Sequence, residues 1–344
     1  MSTLVRENIA SMQGYSWGEQ PKTSTNLIKL NTNENPYPPS PNVIRALQTL
    51  DTEGLRTYPN PLADELREEV AKLNRIADEN VVITNGGDEG LRLSLTTFVD
   101  PGETVCFADP SYSLYPVLAA IQGANIKPVA YSDGWEIPET FPEKIKSFDA
   151  KMSYLVNPHA PSGNFYSLGA LDKIAQSAPG VLLIDEAYAD FIDPSLNYQS
   201  ADLLKKYDNV LILRTFSKGY SLAGIRLGYL MGNEALISPI ISKTRDSYNV
   251  GSIQQRLGIA AITDQNISDY SVYESINIDA SKVLLKKSIE NNIETFINVS
   301  SANAFGYGSL ENLGDENKPI KAPFDKSLYA LSKLEAQNEI LKIA

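Results

Sequence analysis

Cysteine and histidine are nearly absent from the sequence: among 344 residues, Cys106 and His159 are the only ones of their kinds. A single cysteine excludes an internal disulfide. One cysteine with one histidine leaves too few thiolate and imidazole ligands for a zinc cage, and no metal site is expected. A chain without disulfides is typical of a reducing compartment, so we expect a cytoplasmic protein.

Long apolar runs and an excess of positive charge are also missing. No stretch approaches the roughly 20 consecutive apolar residues of a membrane-spanning helix, and the polar N-terminal stretch lacks the apolar core of a signal peptide. The 30 basic residues are outnumbered by 42 acidic ones, which gives a net charge of −12. Nucleic acids and anionic membranes bind cationic faces, so neither is an expected partner. An anionic small molecule would need a locally basic pocket.

The composition and the hydrophobic pattern indicate a folded α/β protein. Hydrophobic residues make up 42% of the chain and charged residues 21%, as in ordinary globular proteins. Short, continuously apolar segments alternate with amphipathic ones, which is the pattern of a parallel sheet covered by helices on both faces. The segments predicted to be strands are Val81–Thr84, Thr104–Phe107, Lys151–Val156, Val181–Ile184 and Val210–Leu213.

The length favours two lobes, because single cores tend to split beyond roughly 250–300 residues. Residues 1–35 are predicted to form an N-terminal arm that contributes to a small domain, residues 36–250 the large domain, and residues 251–344 the small domain. Helical periodicity is clear in Lys333–Ile343 at the end of the chain. The segment from about residue 300 is atypical, because it is rich in Gly, Asn and Ser and only weakly periodic.

Polar residues follow the predicted strands. In an open parallel sheet, ligands bind beyond the carboxyl ends of the strands, so these residues are the candidates for a site. They are Asn85, Gly86, Gly87, Asp88 and Glu89 after the first of the five strands, Asn157 after the third, Asp185 after the fourth, and Arg214, Thr215, Ser217 and Lys218 after the fifth.

One subset of these residues is suited to an anion. Asn85, Gly86 and Gly87 open a predicted helix, whose free N–H groups and dipole attract a phosphate, although Gly-Gly before a helix is usually only a turn. Thr215 and Ser217 add hydroxyl donors, and Arg226 adds a guanidinium that binds two phosphate oxygens at once. Three kinds of donor at neighbouring strand ends predict a phosphate subsite.

Asp185 ends a fully apolar segment, where an unpaired carboxylate is costly to bury. It is expected to face a cation, which is Arg214 or Arg226 in a purely structural arrangement and a protonated ring nitrogen in a functional one. Tyr188 follows Asp185 by three residues, and Asn157 lies at the end of a neighbouring predicted strand, so both could contact the same ligand.

Lys218 lies in the segment RTFSKGYSLAGIRLGY, among small and hydroxylated residues rather than charged ones. Lysine forms Schiff bases with carbonyl compounds when its amine is unprotonated. A lysine, a carboxylate for a pyridinium nitrogen and a phosphate subsite together indicate pyridoxal 5'-phosphate as the cofactor.

Seven segments of the sequence match motifs of a known protein family. In chain order they are LNTNENPYPP, RTYPNPLADELR, ITNGGDEGLRLSLTTFVDPGE, DPSYSLYP, NPHAPSGN, LLIDEAYADF and RTFSKGYSLAGIRLGY. With these in order, the sequence from about Tyr15 to Ala261 resembles the fold-type I pyridoxal-phosphate aminotransferases, in the histidinol-phosphate aminotransferase branch. The resemblance implies a large domain with a mainly parallel seven-stranded sheet between helices. It also implies a small α/β domain, which looks shortened or rearranged here.

The resemblance implies a role for each candidate. Lys218 forms the Schiff base and shuttles the substrate's α-proton, and Asp185 binds the pyridinium nitrogen. The other implied cofactor contacts are Asn157 and Tyr188 at the ring oxygen, Tyr112 at the ring face, and Gly87, Asp88, Thr215, Ser217 and Arg226 at the phosphate.

The resemblance further implies a homodimer with shared sites. Tyr58 would reach the phosphate bound by the second subunit, and Tyr15 would cover the substrate. For Tyr58 and Tyr112, ordinary packing is the alternative interpretation.

The C-terminal segment departs from the family pattern. Family members bind the substrate's α-carboxylate with an arginine late in the small domain. Alignment on EAQNEIL places Tyr329 at the position of that arginine. An earlier strand of the family's small domain is matched only by SSANAF at 300–305, which is a disturbed form of it. Arg256 is the last arginine of the chain. The segment is either a variant for another substrate or a rearranged, frame-shifted or shortened sequence. Lysines could replace the missing arginine only imperfectly, because an ammonium does not bind both carboxylate oxygens in the bidentate way that a guanidinium does. The candidate lysines are Lys321, Lys326 and Lys333.

The expected function is amino transfer between an L-amino-acid-type donor, with histidinol phosphate favoured, and 2-oxoglutarate. Two alternatives stay open. One is a phospho-amino-acid decarboxylase of the same fold, and the other is a cofactor-binding protein with little turnover.

Overall fold

The computed structural model describes residues 4–20, 29, 31–264, 274–298, 318–320 and 328–343. The chain divides into two compact units. The first comprises Met1–Phe191 and Gln199–Thr263, and the second comprises Ile192–Tyr198 and Asp264–Ala344. The domain boundaries at residues 35 and 250 stay a prediction. Within the described residues, no helix is both long and apolar enough to cross a membrane.

The first unit is built on a seven-stranded sheet in the order β1-β7-β6-β5-β4-β2-β3. Only β7 is antiparallel to its neighbours, while the other pairings are parallel. The carboxyl ends of the other six strands therefore lie at one edge of the sheet. The strands are β1 Val81–Thr84, β2 Thr104–Asp109, β3 Asn125–Ala130, β4 Ala150–Val156, β5 Val181–Asp185, β6 Val210–Thr215 and β7 Gly228–Gly232.

Helices connect these strands and contribute to a core on both faces of the sheet. Leu183 and Leu213 join a buried cluster with residues of the helices on one face. Leu182 and Ile212, which point the other way, are equally buried. In the first unit the α-helices are α1 Glu7–Ser11, α2 Pro41–Gln48, α3 Asp64–Asn74, α4 Gly86–Phe98, α5 Leu114–Gln122, α6 Phe141–Ser147, α7 Leu168–Ser177, α8 Glu234–Pro239 and α9 Ser252–Ile262.

Helix boundaries follow local chemistry. Ser40 caps α2 by accepting a hydrogen bond from the Val43 N–H, and Pro41 occupies the first turn, where its missing N–H costs nothing. Gly123 ends α5 in the left-handed conformation that glycine adopts without strain.

The sheet confirms the α/β fold class and the mainly parallel sheet, and all five predicted strands are present. The pattern did not predict two strands. β3 is an edge strand that contains Pro128 and is largely exposed, so it lacks an apolar run. β7 is buried throughout but short, with glycine at both ends.

The second unit contains a π-helical turn at Glu274–Asp279, α10 Ala280–Glu290 and α11 Leu328–Ile343. Asn277 donates to the Ser332 hydroxyl at 2.9 Å, which joins the turn to α11. Its described residues include no strand. The segment 300–305 lies outside the described residues.

Candidate active site

Lys218 lies just after β6, and its half-buried amine faces the N-terminal segment. Nζ donates to the carbonyl oxygens of Thr32 at 2.8 Å and Asn33 at 3.0 Å. Burial lowers the pKa of the Lys218 amine, against the raising effect of the Glu34 carboxylate, and the Arg226 guanidinium lowers it further. This setting favours the unprotonated, nucleophilic amine.

The predicted phosphate ligands come together around Arg226. Its Nη1 donates to the Ser217 hydroxyl at 3.2 Å, and its Nη2 donates to the Asp88 carboxylate at 3.4 Å. The Thr215 hydroxyl donates to Ser217 Oγ at 2.9 Å. A Cβ at Gly86, whose φ is +77°, would lie 2.6 Å from Nη2 of Arg226. The guanidinium therefore lies against the amino-terminal end of α4.

A second glycine keeps this corner compact. A Cβ at Gly228 would lie 2.9 Å from the Arg214 carbonyl oxygen and 3.1 Å from the Gly87 nitrogen. The start of β7 therefore packs backbone to backbone against the start of α4, which places Gly87 and Asp88 beside the end of β6.

Asp185 is buried at the end of β5 and is not paired with either arginine that the sequence offered. Its Oδ2 accepts from the Tyr115 hydroxyl at 2.6 Å, and its Oδ1 accepts from the Ala187 N–H at 3.1 Å. Arg214 instead binds Glu186, with Nε 2.8 Å from Oε2. Burial raises the pKa of Asp185 to about 6. A cationic ring N–H would relieve this cost, because an opposite charge favours the carboxylate.

Asn157 and Tyr188 lie beside these groups with defined orientations. The Asn157 N–H donates to the Asp185 carbonyl at 2.9 Å, and its side-chain oxygen accepts from the Tyr166 N–H at 2.8 Å. The Tyr188 hydroxyl accepts from the Asn33 amide at 2.9 Å. The Nζ of Lys218 lies 5.7 Å from the centre of the Tyr188 ring.

Aromatic rings form another side of the site. The Tyr112 hydroxyl donates to Asp88 at 3.1 Å, so this ring is held at the predicted phosphate subsite. Tyr15 packs edge to face on Tyr112, with ring centres 6.1 Å apart. Tyr58 is placed differently: it is 80% exposed and stacks on Tyr248 at 4.5 Å. Its role toward a second subunit stays a prediction.

Sequence reasoning missed several residues that support the site. The carbonyls of Thr32 and Asn33 hold the lysine amine, and Asn35 donates to the Lys218 carbonyl at 3.0 Å. These contacts join segments more than 180 positions apart, which no local pattern signals. Tyr115 was also missed, although it follows Tyr112 by three residues at the start of α5.

A buried polar network lies next to Asp185. The Ser200 hydroxyl donates to Oε2 of Glu186 at 2.9 Å. Arg214 donates to the same carboxylate, to Ser200 at 3.3 Å and to the side-chain oxygen of Asn74 at 3.1 Å. Glu186 directly follows Asp185, the last residue of β5, and Arg214 directly precedes Thr215, the last residue of β6. The network therefore holds together the two strand ends from which Asp185 and Lys218 are presented.

His159 is buried in the loop after β4. Its Nδ1 lies 2.8 Å from the Ser162 hydroxyl, and its Nε2 lies 3.2 Å from the Pro110 carbonyl. Because a carbonyl only accepts, these partners fit a neutral ring with its proton on Nε2. His159 makes these contacts within its own loop and to Pro110, and it is not one of the candidate site residues.

We expect the His159 imidazole to titrate below its ordinary value of 6.5, because burial lowers its pKa. The depressed pKa contributes stability that is present above 6.5 and is lost as pH falls through the folded pKa. As the only histidine, it gives a single Hε1 signal in proton NMR, which can be followed with pH. A titration midpoint at or above 6.5 would contradict the buried placement, and His159→Asn, which removes the signal, is the control.

The C-terminal candidates for the substrate carboxylate are only partly described. Lys333 lies in α11, and burial lowers its pKa. Lys321, Lys326 and the side chain of Tyr329 lie outside the described residues. Arg256 donates to the carbonyl and hydroxyl of Thr49, at 2.8 and 2.9 Å.

The site residues fit pyridoxal phosphate on three separate observations. A buried carboxylate that has no cationic partner among the residues the structure describes suits a pyridinium nitrogen, and a half-buried amine with a lowered pKa suits an aldehyde. A guanidinium with two hydroxyls at the amino-terminal end of a 13-residue helix suits a phosphate.

Comparisons with known proteins agree with this geometry. The family model described as aminotransferase class I and II matches residues 25–309. A histidinol-phosphate aminotransferase of Trichormus variabilis is 39% identical over 84% of this chain and 80% of its own length. One from Geobacter sp. (strain M21) is 43% identical over 76% of this chain and 72% of its own. The Sinorhizobium meliloti histidinol-phosphate aminotransferase, solved with pyridoxal 5'-phosphate, shares the fold, with a TM-score of 0.64, 23% identity and coverage of 91% of this chain and 90% of that one.

Proposed function

The chain belongs to the class I and II aminotransferases, in the histidinol-phosphate branch, and on that premise we propose that it moves the amino group of histidinol phosphate to 2-oxoglutarate. As a member of this family it is a pyridoxal-phosphate-dependent transaminase. The observation that carries the proposal is the convergence of Lys218, Asp185 and the Arg226 corner at one edge of the sheet.

The cofactor, when bound, supplies an aldehyde that takes up the amino group and a protonated ring that withdraws electrons. Lys218 would hold it covalently through Nζ and would then take and return the substrate's α-proton at the same atom. The carbonyls of Thr32 and Asn33 accept from this amine, so they set the direction in which its lone pair points. Burial lowers the pKa of this amine, which favours the unprotonated form that acts as a base.

Two further groups would hold the cofactor in register. Asp185 would accept the ring N–H and thereby keep the ring protonated. The phosphate would be bound by the N–H groups of Gly87 and Asp88 and by the guanidinium of Arg226. The hydroxyls of Thr215 and Ser217 would donate to it as well. Arg226 now shares its guanidinium with Asp88, and a phosphate would compete for it.

Three tyrosines and one asparagine would complete the site. Tyr112 would cover the ring face, while Asn157 and Tyr188 would bind the ring oxygen. Tyr15, which packs on Tyr112, would close over the substrate. We further propose a homodimer in which the exposed Tyr58 reaches the phosphate held by the other subunit. The cytoplasmic location stays a prediction.

One observation favours a second candidate function. Residues 257–344 contain no arginine, so this part of the sequence offers no arginine candidate for the substrate's carboxylate, which the family usually binds with one. A protein that binds the cofactor but turns over slowly is the alternative that this predicts. A decarboxylase of the same fold would use the same cofactor residues with another substrate orientation.

Incubation with pyridoxal phosphate, histidinol phosphate and 2-oxoglutarate is expected to produce glutamate, and a two-stage transfer predicts ping-pong kinetics. Glutamate is measured with a coupled dehydrogenase, and omission of 2-oxoglutarate is the control. Histidinol phosphate carries no carboxyl group, so the decarboxylase is tested in a second incubation with a phosphorylated α-amino acid as the donor. Release of carbon dioxide there, with no glutamate from histidinol phosphate, would replace the transaminase with the decarboxylase. Cofactor binding with neither product would identify the slow binder.

A further inference from the structure

Tyr115 makes the shortest side-chain contact of Asp185. The phenol oxygen lies 2.6 Å from Oδ2 of the carboxylate, within the range of a charge-assisted hydrogen bond. The side chains of both residues are buried.

The Tyr115 ring is held by aromatic neighbours on several sides. It stacks on Tyr154 with centres 4.7 Å apart and an angle of 9° between the planes. Tyr112 meets it edge to face at 5.7 Å, and Phe107 packs at 6.0 Å. A ring confined in this way has little freedom at its first two torsions, so its hydroxyl is aimed at one point.

The charges around the pair show what the hydroxyl does. Burial raises the pKa of Tyr115 well above its ordinary range, so the phenol remains a donor. Burial also raises the pKa of Asp185, and the carboxylates of Asp88 and Glu186 act in the same direction. The hydrogen bonds from Tyr115 and the Ala187 N–H oppose this rise. Tyr115 thus stabilises the anionic form of Asp185 in a setting that otherwise disfavours it.

We propose that Tyr115 is a positioning residue that fixes the Asp185 carboxylate in the orientation and the anionic form that receive the cofactor's ring N–H. The inference rests on the proposed function. It also connects two cofactor contacts, because the ring that orients Asp185 packs on Tyr112, the predicted cover of the ring face. Loss of the hydroxyl alone should therefore disturb the ring-nitrogen contact while the aromatic packing stays.

The test is Tyr115→Phe, which keeps the ring and removes the donor. At pH 7 we expect the dissociation constant of pyridoxal phosphate to rise about tenfold, the loss of one hydrogen bond to a charged group. The pH below which affinity falls should move upward by about one unit, since the neutral form of Asp185 is no longer opposed by the phenol. Both are measured by absorbance titration of the cofactor, without turnover.

Tyr154→Phe is the matched control, because it removes a buried phenol of the same stack that donates no hydrogen bond to Asp185. We expect its cofactor affinity to stay within about twofold of the wild type. In an Asp185→Asn background, Tyr115→Phe should change the affinity by less than about twofold, because the carboxylate that it serves is gone. An equal tenfold loss in that background would show that Tyr115 acts through packing and would overturn the inference.

The outcomes separate this inference from the proposed function. A wild-type protein that does not bind pyridoxal phosphate overturns the function. A wild-type protein that binds it, with Tyr115→Phe indistinguishable from Tyr154→Phe, overturns the inference alone. If circular dichroism shows that Tyr115→Phe does not fold, 3-fluorotyrosine at position 115 keeps the hydroxyl as a stronger donor. The fall in affinity should then move to lower pH, and an unchanged profile would overturn the inference.

Discussion

Lys218→Ala is expected to lower the rate of amino transfer by about 10³-fold or more. The substitution removes both the amine that holds the cofactor and the base that moves the α-proton, and general-base catalysis alone contributes about 10²- to 10⁴-fold. The fold should remain intact, because the hydrogen bonds lost with the Lys218 amine are those to the backbone carbonyls of Thr32 and Asn33. Steady-state rates and circular dichroism spectra measure the two effects.

Lys218→Arg sharpens this experiment. Arginine keeps the positive charge and the donors for the carbonyls of Thr32 and Asn33, but it is always protonated and does not act as a nucleophile near neutral pH. We expect it to be as inactive as the alanine variant while retaining thermal stability. Lys206→Ala, which removes a half-exposed lysine paired with Asp172, should retain wild-type rates. Activity of either Lys218 variant near the wild-type level would contradict the assigned role.

Asp185→Asn is expected to reduce amino transfer by about 10²- to 10³-fold, the usual cost of removing one preorganised electrostatic group. An amide leaves the ring nitrogen without an anionic partner. The same change should stabilise the cofactor-free protein relative to the wild type at high pH, which separates a binding group from a structural one.

The sign of the stability effect follows from the raised pKa of Asp185. The folded protein holds the proton up to about pH 6, whereas the unfolded chain releases it near 3.8. The contribution to stability is therefore complete below 3.8 and is lost as pH rises through about 6, a loss of about 3 kcal/mol. Urea unfolding of cofactor-free protein between pH 4 and pH 8 should show a stability change that differs by about this amount between the wild type and Asp185→Asn. Burial also raises the pKa of Asp190 to about 6 and lowers that of His159, but these two contributions are common to both proteins.

Glu186→Gln is the control for Asp185→Asn, because it makes the same acid-to-amide change at the next residue of the chain. Its carboxylate is paired with Arg214, so we expect the substitution to destabilise the protein, whereas Asp185→Asn stabilises it at pH 8. A wild-type protein and an Asp185→Asn variant with the same pH dependence of stability, or an Asp185→Asn variant less stable at pH 8, would show that the carboxylate is already compensated inside the protein.

The residues of the site were predictable from sequence wherever the pattern was local. A parallel sheet places the ends of neighbouring strands together, so Asp185, Asn157 and Lys218 follow from short apolar runs and their next residues. The glycines at the start of α4 and the hydroxyls at and after the end of β6 follow in the same way, and the structure brings both groups to Arg226.

The partners of these residues were less predictable, because they depend on packing across the sheet. The sequence offered Arg214 and Arg226 as partners of Asp185, and only the structure shows that each is bound elsewhere. Tyr115 reaches Asp185 across 70 positions. β3 was missed because an exposed edge strand with a proline has no apolar run to reveal it.

The central claim is that Lys218 bonds the cofactor, and borohydride reduction tests it most directly. Reduction fixes a cofactor that is bonded to a lysine amine, and digestion with mass spectrometry then locates the added mass. The account predicts that one pyridoxyl group per chain is found on the peptide containing Lys218 and is absent from Lys218→Arg. A label on another lysine, or no label after the protein has been saturated with cofactor, would contradict it.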